Sequence, residues 1–294
     1  MKILAKKKSL YADLSLLLVA IIWGSSFVVI KNALDYINPV YILVLRFALS
    51  SVLMAFVFWK RFRKINKEDI KAGAIIGFFL FLAFLTQTIG LKYTTVSKQA
   101  FITASYVVIV PFFYWGITKK KPDIYEFVAA ILCLIGIGLL SLEEGLSINL
   151  GDGLTMVCAV FFALHIISIE YFAKDHDPII LTIVQFAVAA ILSFIVVLIF
   201  NIKLGSFGKE VGFSILYVAV VSTLIAFGIQ NVAQKYTSST HTAIILSMES
   251  VFGSIFSVLL LGDKLTVKLF LGCLIVLLSI LTAETKWNFL RKNN

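Results

Sequence analysis

Residues 240–261 read THTAIILSMESVFGSIFSVLLL, an apolar run of 22 residues with a single acidic side chain, Glu249, near its middle. A helix of this length spans about 33 Å, enough to cross the roughly 30 Å hydrocarbon core of a bilayer. A carboxylate at that depth costs at least about 2.5–3.5 kcal/mol, so it usually faces a cavity or a partner. The run predicts a membrane helix whose carboxylate faces a polar cavity or is locked to a partner such as Arg46 or His165.

The composition of the whole chain agrees with a membrane location. Of 294 residues, 60% are hydrophobic and only 14% are charged, whereas soluble domains carry roughly a quarter charged residues. The sequence therefore predicts an all-α, polytopic membrane protein, because backbone groups in lipid need partners within their own segment. Ten apolar stretches are long enough to be spans, at 12–31, 39–59, 72–91, 98–117, 124–142, 153–172, 179–200, 213–233, 240–261 and 267–283.

The basic residues indicate how these spans are oriented. The net charge is +10, but Lys and Arg sit in short clusters between apolar runs, which favours the lipid bilayer over nucleic acid as the partner. With the N-terminus in the cytoplasm, eighteen Lys and Arg fall on the cytoplasmic side and seven on the other, and Arg46 lies inside a span. This bias predicts a multi-pass protein of the cell membrane with both termini in the cytoplasm.

The two halves of the chain show an internal repeat. An offset of 139 residues places Pro178 on Pro39, and an offset of 143 places KYTSSTHTA (235–243) on KYTTVSKQA (92–100). Five spans per half mean that the second half enters the membrane from the opposite side, as in secondary transporters that hold substrate near the midplane. We predict two five-helix repeats, 1–145 and 146–294. Further pairs at the first offset are Trp23 with Phe162, Ser26 with His165, Arg46 with Gln185 and Phe47 with Phe186.

Polar side chains inside the spans mark the candidate site. Glu249 suits a cationic group or a proton, while Arg46 suits a substrate carboxylate or a structural pair with Glu249. His165 is either a proton carrier or a hydrogen-bonded interior residue, so Glu249 and His165 are the coupling-ion candidates. The predicted substrate-binding residues are Trp23, Ser26, Arg46, Gln87, Gln99, Thr103, Tyr106, His165, Gln185, Gln230 and Glu249.

Three segments of the sequence resemble a known family. WGSSFVVIKNAL (23–34), followed by Pro39, Arg46 and Phe47, is similar to the opening of EamA-type transporters of the drug/metabolite transporter superfamily. SKQAFITASYVVIVP (97–111) and THTAIILSMESVFGSIFSVLLLGDKLT (240–266) resemble later family segments, so the resemblance covers nearly the whole chain.

This resemblance implies ten helices in an inverted repeat, with helices five and ten peripheral to a central cavity. It also implies export of amino acids or other small metabolites, since that is what family members largely do. Two residues depart from the family pattern. Ser250 stands where many relatives carry Pro, which implies a softer kink there, and Asp263 replaces a Glu and keeps its charge.

The residues and the resemblance together predict a secondary transporter, not an enzyme, that exports amino acids or similar small metabolites by alternating access around a midplane cavity. The alternative is a multi-pass enzyme acting on lipid or lipid-linked substrates, but the three histidines lie far apart in sequence. A channel would need a filter ring or a continuous charged pore. We expect no cofactor and no metal, because a solvated turn is favoured for DHDP (175–178), and a monomer or weak homodimer. Proton coupling stays open.

Overall fold

The protein is helical throughout the residues described. The computed structural model describes residues 2–119, 121–141, 148–237, 239–264 and 266–286, and it contains no β-strand within these ranges. The predicted boundary between residues 145 and 146 lies outside them. The helices of the first half are α1 Lys2–Ala33, α2 Pro39–Val57, α3 Trp59–Phe62, α4 Lys67–Lys92, α5 Val96–Ala104, α6 Tyr106–Thr118 and α7 Ile124–Ser141.

The second half is more interrupted than the first. It contains two π-helical segments, in which the backbone bonds to the residue five positions earlier. Its elements are α8 Leu150–Ala173, α9 Pro178–Ile199, α10 Lys209–Tyr217, π1 Val218–Ile225, α11 Ala226–Ala233, α12 Ser239–Ser247, α13 Glu249–Phe256, π2 Ser257–Leu261 and α14 Val267–Thr285.

Among the described residues, seven helical segments are long and apolar enough to cross a membrane by length and composition. They are Tyr11–Ala33, Pro39–Val57, Lys67–Lys92, Val96–Ile117, Leu150–Ala173, Pro178–Ile199 and Lys209–Ala233. Three shorter apolar helices, Ile124–Leu139, Ile245–Leu261 and Val267–Thr282, overlap the remaining predicted spans. The all-α prediction is confirmed, and seven of the ten predicted spans meet the length of a membrane helix.

The start of α2 and the start of α9 show the sequence offset of 139 in local structure. Asn38 accepts a hydrogen bond from the Val40 N–H at 3.0 Å, and Asp177 accepts one from the Ile179 N–H at 2.9 Å. A proline follows each cap at the first helical position, where its fixed φ and missing N–H are tolerated. The same cap chemistry therefore starts both helices.

The helices pack around an interior that α4 shares with α8 and α9. In addition, α1 packs against α13 and α11, and α2 packs against α9 and π1. α7 and α14 pack mainly against each other. Lys286, at the end of α14, forms ion pairs with Asp123 and Glu126 beside the start of α7, and the hydrogen bond to Asp123 raises the pKa of Lys286.

Apolar side chains cover the outside of the bundle and polar side chains gather inside it. Phe56, Phe213 and Leu259 are each more than 70% exposed, as suits a surface that faces lipid. In contrast, Arg46 and Asp152 are fully buried. A buried polar group costs free energy unless it is hydrogen-bonded, so the interior is where a functional site is expected.

Candidate functional site

The interior polar side chains line a narrow central cavity. The centre of a water molecule can occupy about 20 Å³ of it, which is room for roughly one water, so the cavity is nearly closed. Its walls come from α1, α4, α6, α8, π1, α11 and α13. The lining residues are Trp23, Ser26, Phe27, Ile30, Phe84, Gln87, Tyr106, Phe162, His165, Ile166, Ser222, Phe227, Gln230 and Glu249.

Two apolar helical segments break beside this cavity at equivalent positions. α5 gives way to α6 at Ser105, and α12 gives way to α13 at Met248, 143 residues later. Both residues have φ near −60° and ψ near −14°, and both N–H groups donate to the carbonyl three residues earlier at 3.2 Å. Tyr106 and Glu249 therefore occupy the first position of a new helix, where backbone N–H groups lack intrahelical acceptors.

The resemblance implied a softer kink near Ser250, and the helix does break in the turn before it, at Met248. Ser250 lies inside α13, and its hydroxyl donates to the Ser247 carbonyl at 2.7 Å. A helix can break without proline when one residue takes a tighter turn, as Met248 does here. The break puts Glu249 at the start of the new segment.

Glu249 is a buried carboxylate on the cavity wall, only 4% exposed. Tyr106, the equivalent residue of the first half of the chain, lines the same cavity. The sequence left open a structural pair of Glu249 with Arg46 or with His165. Within the described residues neither pair forms, because Arg46 bonds Thr223 and His165 bonds Gln185, and their other side-chain nitrogens have no partner. The carboxylate is thus placed to meet a cation or a proton in the cavity.

Aromatic rings form part of the remaining wall and also pack behind it. Four phenylalanines close a ring of contacts with centroids 5.3–6.0 Å apart: Phe47, Phe84, Phe186 and Phe227. Phe47 is equivalent to Phe186 at the offset of 139, and Phe84 is equivalent to Phe227 at the offset of 143. Trp23 packs on Phe227 at 4.8 Å, and its counterpart Phe162 packs on Phe84 at 5.2 Å. The pairs meet near the centre of the molecule and give the cavity an apolar, polarisable surface.

The opening motif of the first span sets α1 close against α13. An added Cβ at Gly24 would lie 2.6 Å from the Phe252 Cβ and 2.8 Å from the Gly253 N, closer than real contacts allow. The Trp23 indole donates to the Ser222 carbonyl at 2.9 Å, and the Ser26 hydroxyl donates to the Trp23 carbonyl at 2.8 Å. Small residues therefore let α1 present Trp23 and Ser26 to the same cavity as Glu249.

His165 lines the cavity and is held from behind by Gln185. The His165 Nε2 and the Gln185 Oε1 lie 2.9 Å apart, and the ring meets Phe227 at 5.8 Å. With Nε2 donating to the amide, Nδ1 is the ring atom able to accept a proton, and it has no partner among the described residues. Gln185 thus orients His165 and does not line the cavity.

Gln87 is held by a short hydrogen-bond network behind the wall. The Gln99 amide donates to the Gln87 carbonyl at 2.9 Å, and the Gln87 amide donates to the Thr103 hydroxyl at 3.4 Å. Thr155 on α8 donates to Gln99 at 2.8 Å. Gln99 and Thr103 therefore position Gln87. Gln230, its counterpart in the second half, also lines the cavity.

Arg46 stands one side chain away from the cavity. It is fully buried, its Nε donates to the Thr223 hydroxyl at 2.9 Å, and its Cζ lies 4.3 Å from the centroid of the Phe84 ring. Thr223 belongs to π1, and its hydroxyl donates to the Val218 carbonyl five residues earlier. Neither terminal nitrogen of Arg46 has a partner in the described part of the chain. The guanidinium is therefore packed against an aromatic wall of the cavity, with two nitrogens unused.

Seven of the eleven predicted site residues line the cavity: Trp23, Ser26, Gln87, Tyr106, His165, Gln230 and Glu249. The other four, Arg46, Gln99, Thr103 and Gln185, lie behind it. Sequence reasoning missed the apolar lining residues, which are Phe27, Ile30, Phe84, Phe162, Ile166, Phe227 and the small polar Ser222. A Phe inside an apolar span carries no periodic signal, but the repeat pairs Phe162 with Trp23 and Phe227 with Phe84.

Side chains of the acidic turn before α9 are paired with residues of α3 and α4. The His176 Nδ1 lies 2.7 Å from the Asp69 Oδ1, and the Asp177 carboxylate lies 3.1 Å from the Arg61 guanidinium. In the ranges that the structure describes, no three His, Cys, Asp or Glu side chains are grouped closely enough to hold a metal ion. These pairs tie the connection before α9 to the segment between α2 and α4.

Comparison with known proteins agrees with this architecture. The sequence model of the EamA-like transporter family matches residues 10–142 and 149–284. An uncharacterized transporter of Archaeoglobus fulgidus is 36% identical over 279 residues, which cover 95% of this chain and 87% of that protein. The uncharacterized transporter YyaM of Bacillus subtilis is 26% identical over 94% of each chain.

A solved crystal structure shares the fold. It superposes with a TM-score of 0.71 at 16% identity, over 95% of this chain and 98% of the other. At this identity the likeness shows the fold alone. The resemblance found in the sequence is confirmed, and the apolar helices are those of a multi-pass membrane protein. Since the family match covers nearly all of both halves, the chain belongs to the EamA-like transporter family.

Proposed function

We propose that the protein is a secondary transporter that exports amino acids or similar small metabolites by alternating access around the central cavity. Family membership establishes the broader class of membrane transporter. The observation that carries the finer proposal is Glu249, a buried carboxylate at a helix break on the wall of a nearly closed cavity. Such a residue inside a membrane bundle typically binds a substrate or a coupling ion.

We also propose that ten membrane helices form two inverted repeats, 1–145 and 146–294, with both termini on the cytoplasmic side of the cell membrane. Two equivalent helix breaks, two equivalent caps and paired aromatic contacts support the repeat. The distribution of Lys and Arg supports the orientation. The partners would be a small-molecule substrate and the bilayer, and the protein would act as a monomer or weak homodimer.

Two polar contacts at opposite ends of α8 are placed to close the cavity, one on each side of the membrane. Near the start of α5, Lys98 pairs with Asp152 at 3.1 Å, where Asp152 is fully buried at the start of α8. Near the start of α12, the Glu170 carboxylate accepts the Ser239 N–H at 2.9 Å at the end of α8. Each contact joins a broken helix to α8. Opening the cavity to one side would therefore break one contact while the other holds.

The coupling ion is proposed to be a proton carried by Glu249 or His165. Both side chains line the cavity, so a proton taken from it would change the charge that the substrate meets. A carboxylate that must release its proton before it can bind a cation is the simplest arrangement for exchanging the two. His165 offers its unpartnered Nδ1 as a second acceptor within the described structure.

The deciding experiment is uptake and efflux of a panel of amino acids in proteoliposomes, with and without a pH gradient. The variants are Glu249→Gln and, as a matched control, Glu68→Gln, whose carboxylate is exposed and pairs with Lys71. Flux that follows the gradient in the wild type and the control, but not in Glu249→Gln, supports the proposal. If flux is equal and independent of the pH gradient in all three proteins, Glu249 does not carry a coupling proton. Absence of any amino-acid flux in the wild type refutes amino acids as the substrates.

A further inference from the structure

We propose that Arg46 is a second, gated half of the substrate site. It would take the carboxylate of a zwitterionic substrate while Glu249 takes the ammonium group, and the Phe84 ring separates Arg46 from the cavity in the closed arrangement. The inference rests on the proposed transport function and narrows its substrate class to zwitterionic amino acids, as opposed to amines that lack a carboxylate.

The first observation is a buried guanidinium with unused donors. Arg46 is fully buried and bonds Thr223 through Nε, but neither Nη1 nor Nη2 has a partner in the described residues. A buried charge is normally paired, because taking it out of water is costly otherwise. The free edge of the guanidinium is the planar fork that binds a carboxylate through two parallel hydrogen bonds.

The second observation is that the Phe84 ring contacts Arg46 and also lines the cavity. The Phe84 ring lines the cavity, and the Arg46 Cζ packs on it at 4.3 Å from the centroid. Thr223, which holds Arg46, is the neighbour in sequence of Ser222, which lines the cavity. A turn of Phe84 away from Arg46 would therefore bring the fork to the cavity wall.

The residue equivalent to Arg46 in the other half of the chain contacts a residue that lines the cavity. Gln185 is the counterpart of Arg46 at an offset of 139, and its side chain bonds His165, a lining residue. The position therefore lies directly behind the wall in both halves. In the first half it carries a charged fork, and in the second half it carries a neutral amide.

A purely structural role does not account for the unused nitrogens. Joining α2 to π1 needs only the Nε bond to Thr223, and Ser50 on α2 already donates to the Ala219 carbonyl of π1 at 2.7 Å. In the described cavity wall no Arg or Lys is present. Without Arg46, a substrate carboxylate beside Glu249 would meet no cationic side chain other than a protonated His165, and two like charges in a site of low dielectric repel.

The proposal is tested by binding of three compounds of one shape to the purified protein in nanodiscs. The probes are leucine, isoamylamine, which lacks the carboxylate, and 4-methylpentanoate, which lacks the ammonium group. We expect the wild type to bind leucine at least about tenfold more tightly than isoamylamine, since a charge-assisted, two-point contact readily supplies that factor. Arg46→Gln should abolish this preference and leave the binding of isoamylamine unchanged. Arg61→Gln, at an exposed arginine outside the cavity, should retain the preference.

The outcomes separate the inference from the transport function. Equal binding of leucine and isoamylamine by the wild type, or an unchanged preference in Arg46→Gln, overturns the inference. If Arg46→Gln binds neither probe, Phe84→Leu decides: a smaller side chain should speed the association of leucine several-fold but not that of isoamylamine, and unchanged rates for both overturn the gate. Arg46-dependent leucine binding without flux in proteoliposomes would retain the site and refute the transporter proposal. Leucine flux that is unchanged in Arg46→Gln would support the transporter proposal and refute the Arg46 site.

Discussion

Substituting Gly24 by alanine should destabilise the protein, although alanine is the better helix former. Gly24 lies where α1 crosses α13, and the added Cβ would sit 2.6 Å from the Phe252 Cβ, 2.8 Å from the Gly253 N and 3.0 Å from the Phe252 carbonyl carbon. Two of these three atoms belong to the backbone, so no side-chain rotation relieves the clash. The helices themselves must separate.

The magnitude follows from the size of that separation. Ordinary contacts of a Cβ begin at 3.4 Å, so the shortest contact must lengthen by about 0.8 Å. Overpacking of this kind costs about 1–3 kcal/mol, whereas the gain in helix propensity from glycine to alanine is about 1 kcal/mol. Because backbone atoms are involved, we expect a net loss of about 1–2 kcal/mol. For a domain of this size that lowers the melting temperature by about 2–8 °C.

Gly153 provides the matched control, because it lies in helix α8 and an added Cβ there would meet nothing within 4 Å. Gly153→Ala should therefore raise stability by up to about 1 kcal/mol. Melting in detergent is followed with a thiol-reactive fluorogenic dye, since Cys133 and Cys158 are buried and react only on unfolding. The reasoning fails if Gly24→Ala melts at or above the wild-type temperature, or if both variants shift in the same direction.

Three further predictions concern single contacts. Asp152→Asn should lower the free energy of unfolding by about 1.5–3 kcal/mol, seen as a lower melting temperature, because the buried carboxylate binds Lys98; an unchanged melt would refute this. Trp23→Phe should cost at least about 0.5–1.5 kcal/mol, since the indole N–H bond to a backbone carbonyl is lost; chemical unfolding measures it, and no loss contradicts it. The bond to Asp123 raises the pKa of Lys286 above 10.5, so its stabilising effect is complete below that pH and lost as the pH rises through the raised value. Lys286→Met should therefore melt below the wild type near pH 8 and converge with it at high pH, and a constant difference would contradict the pairing.

Much of the candidate site was predictable because polar residues are rare inside membrane spans. Glu249, His165 and Gln87 stood out against apolar neighbours, and the structure places all three on one cavity. The offset between the halves also held at the level of single contacts, as Asn38 and Asp177 show. The apolar lining was not predictable, because a phenylalanine facing the cavity and one facing lipid look the same in a sequence that is apolar on every face.

Pairing between helices was the part that sequence reasoning left open. Arg46 and Glu249 are the obvious partners by charge, yet Arg46 bonds Thr223 and packs on Phe84. The residue at which this helix breaks, Met248, was likewise not given by the sequence, because the resemblance implied only a softer kink in this region. Both results depend on how helices distant in sequence are placed against one another.

The sequence alone was enough to predict that the protein is built of apolar helices, that it resembles the EamA-type transporters, and which polar residues cannot face lipid. The physical reason is that a bilayer offers the backbone no hydrogen-bond partners and penalises charge, so composition and run length suffice. Which of these polar residues lie together is set by the tertiary structure alone. That choice depends on close approach at residues such as Gly24 and on aromatic contacts such as Trp23 with Phe227, which form between segments far apart in the chain.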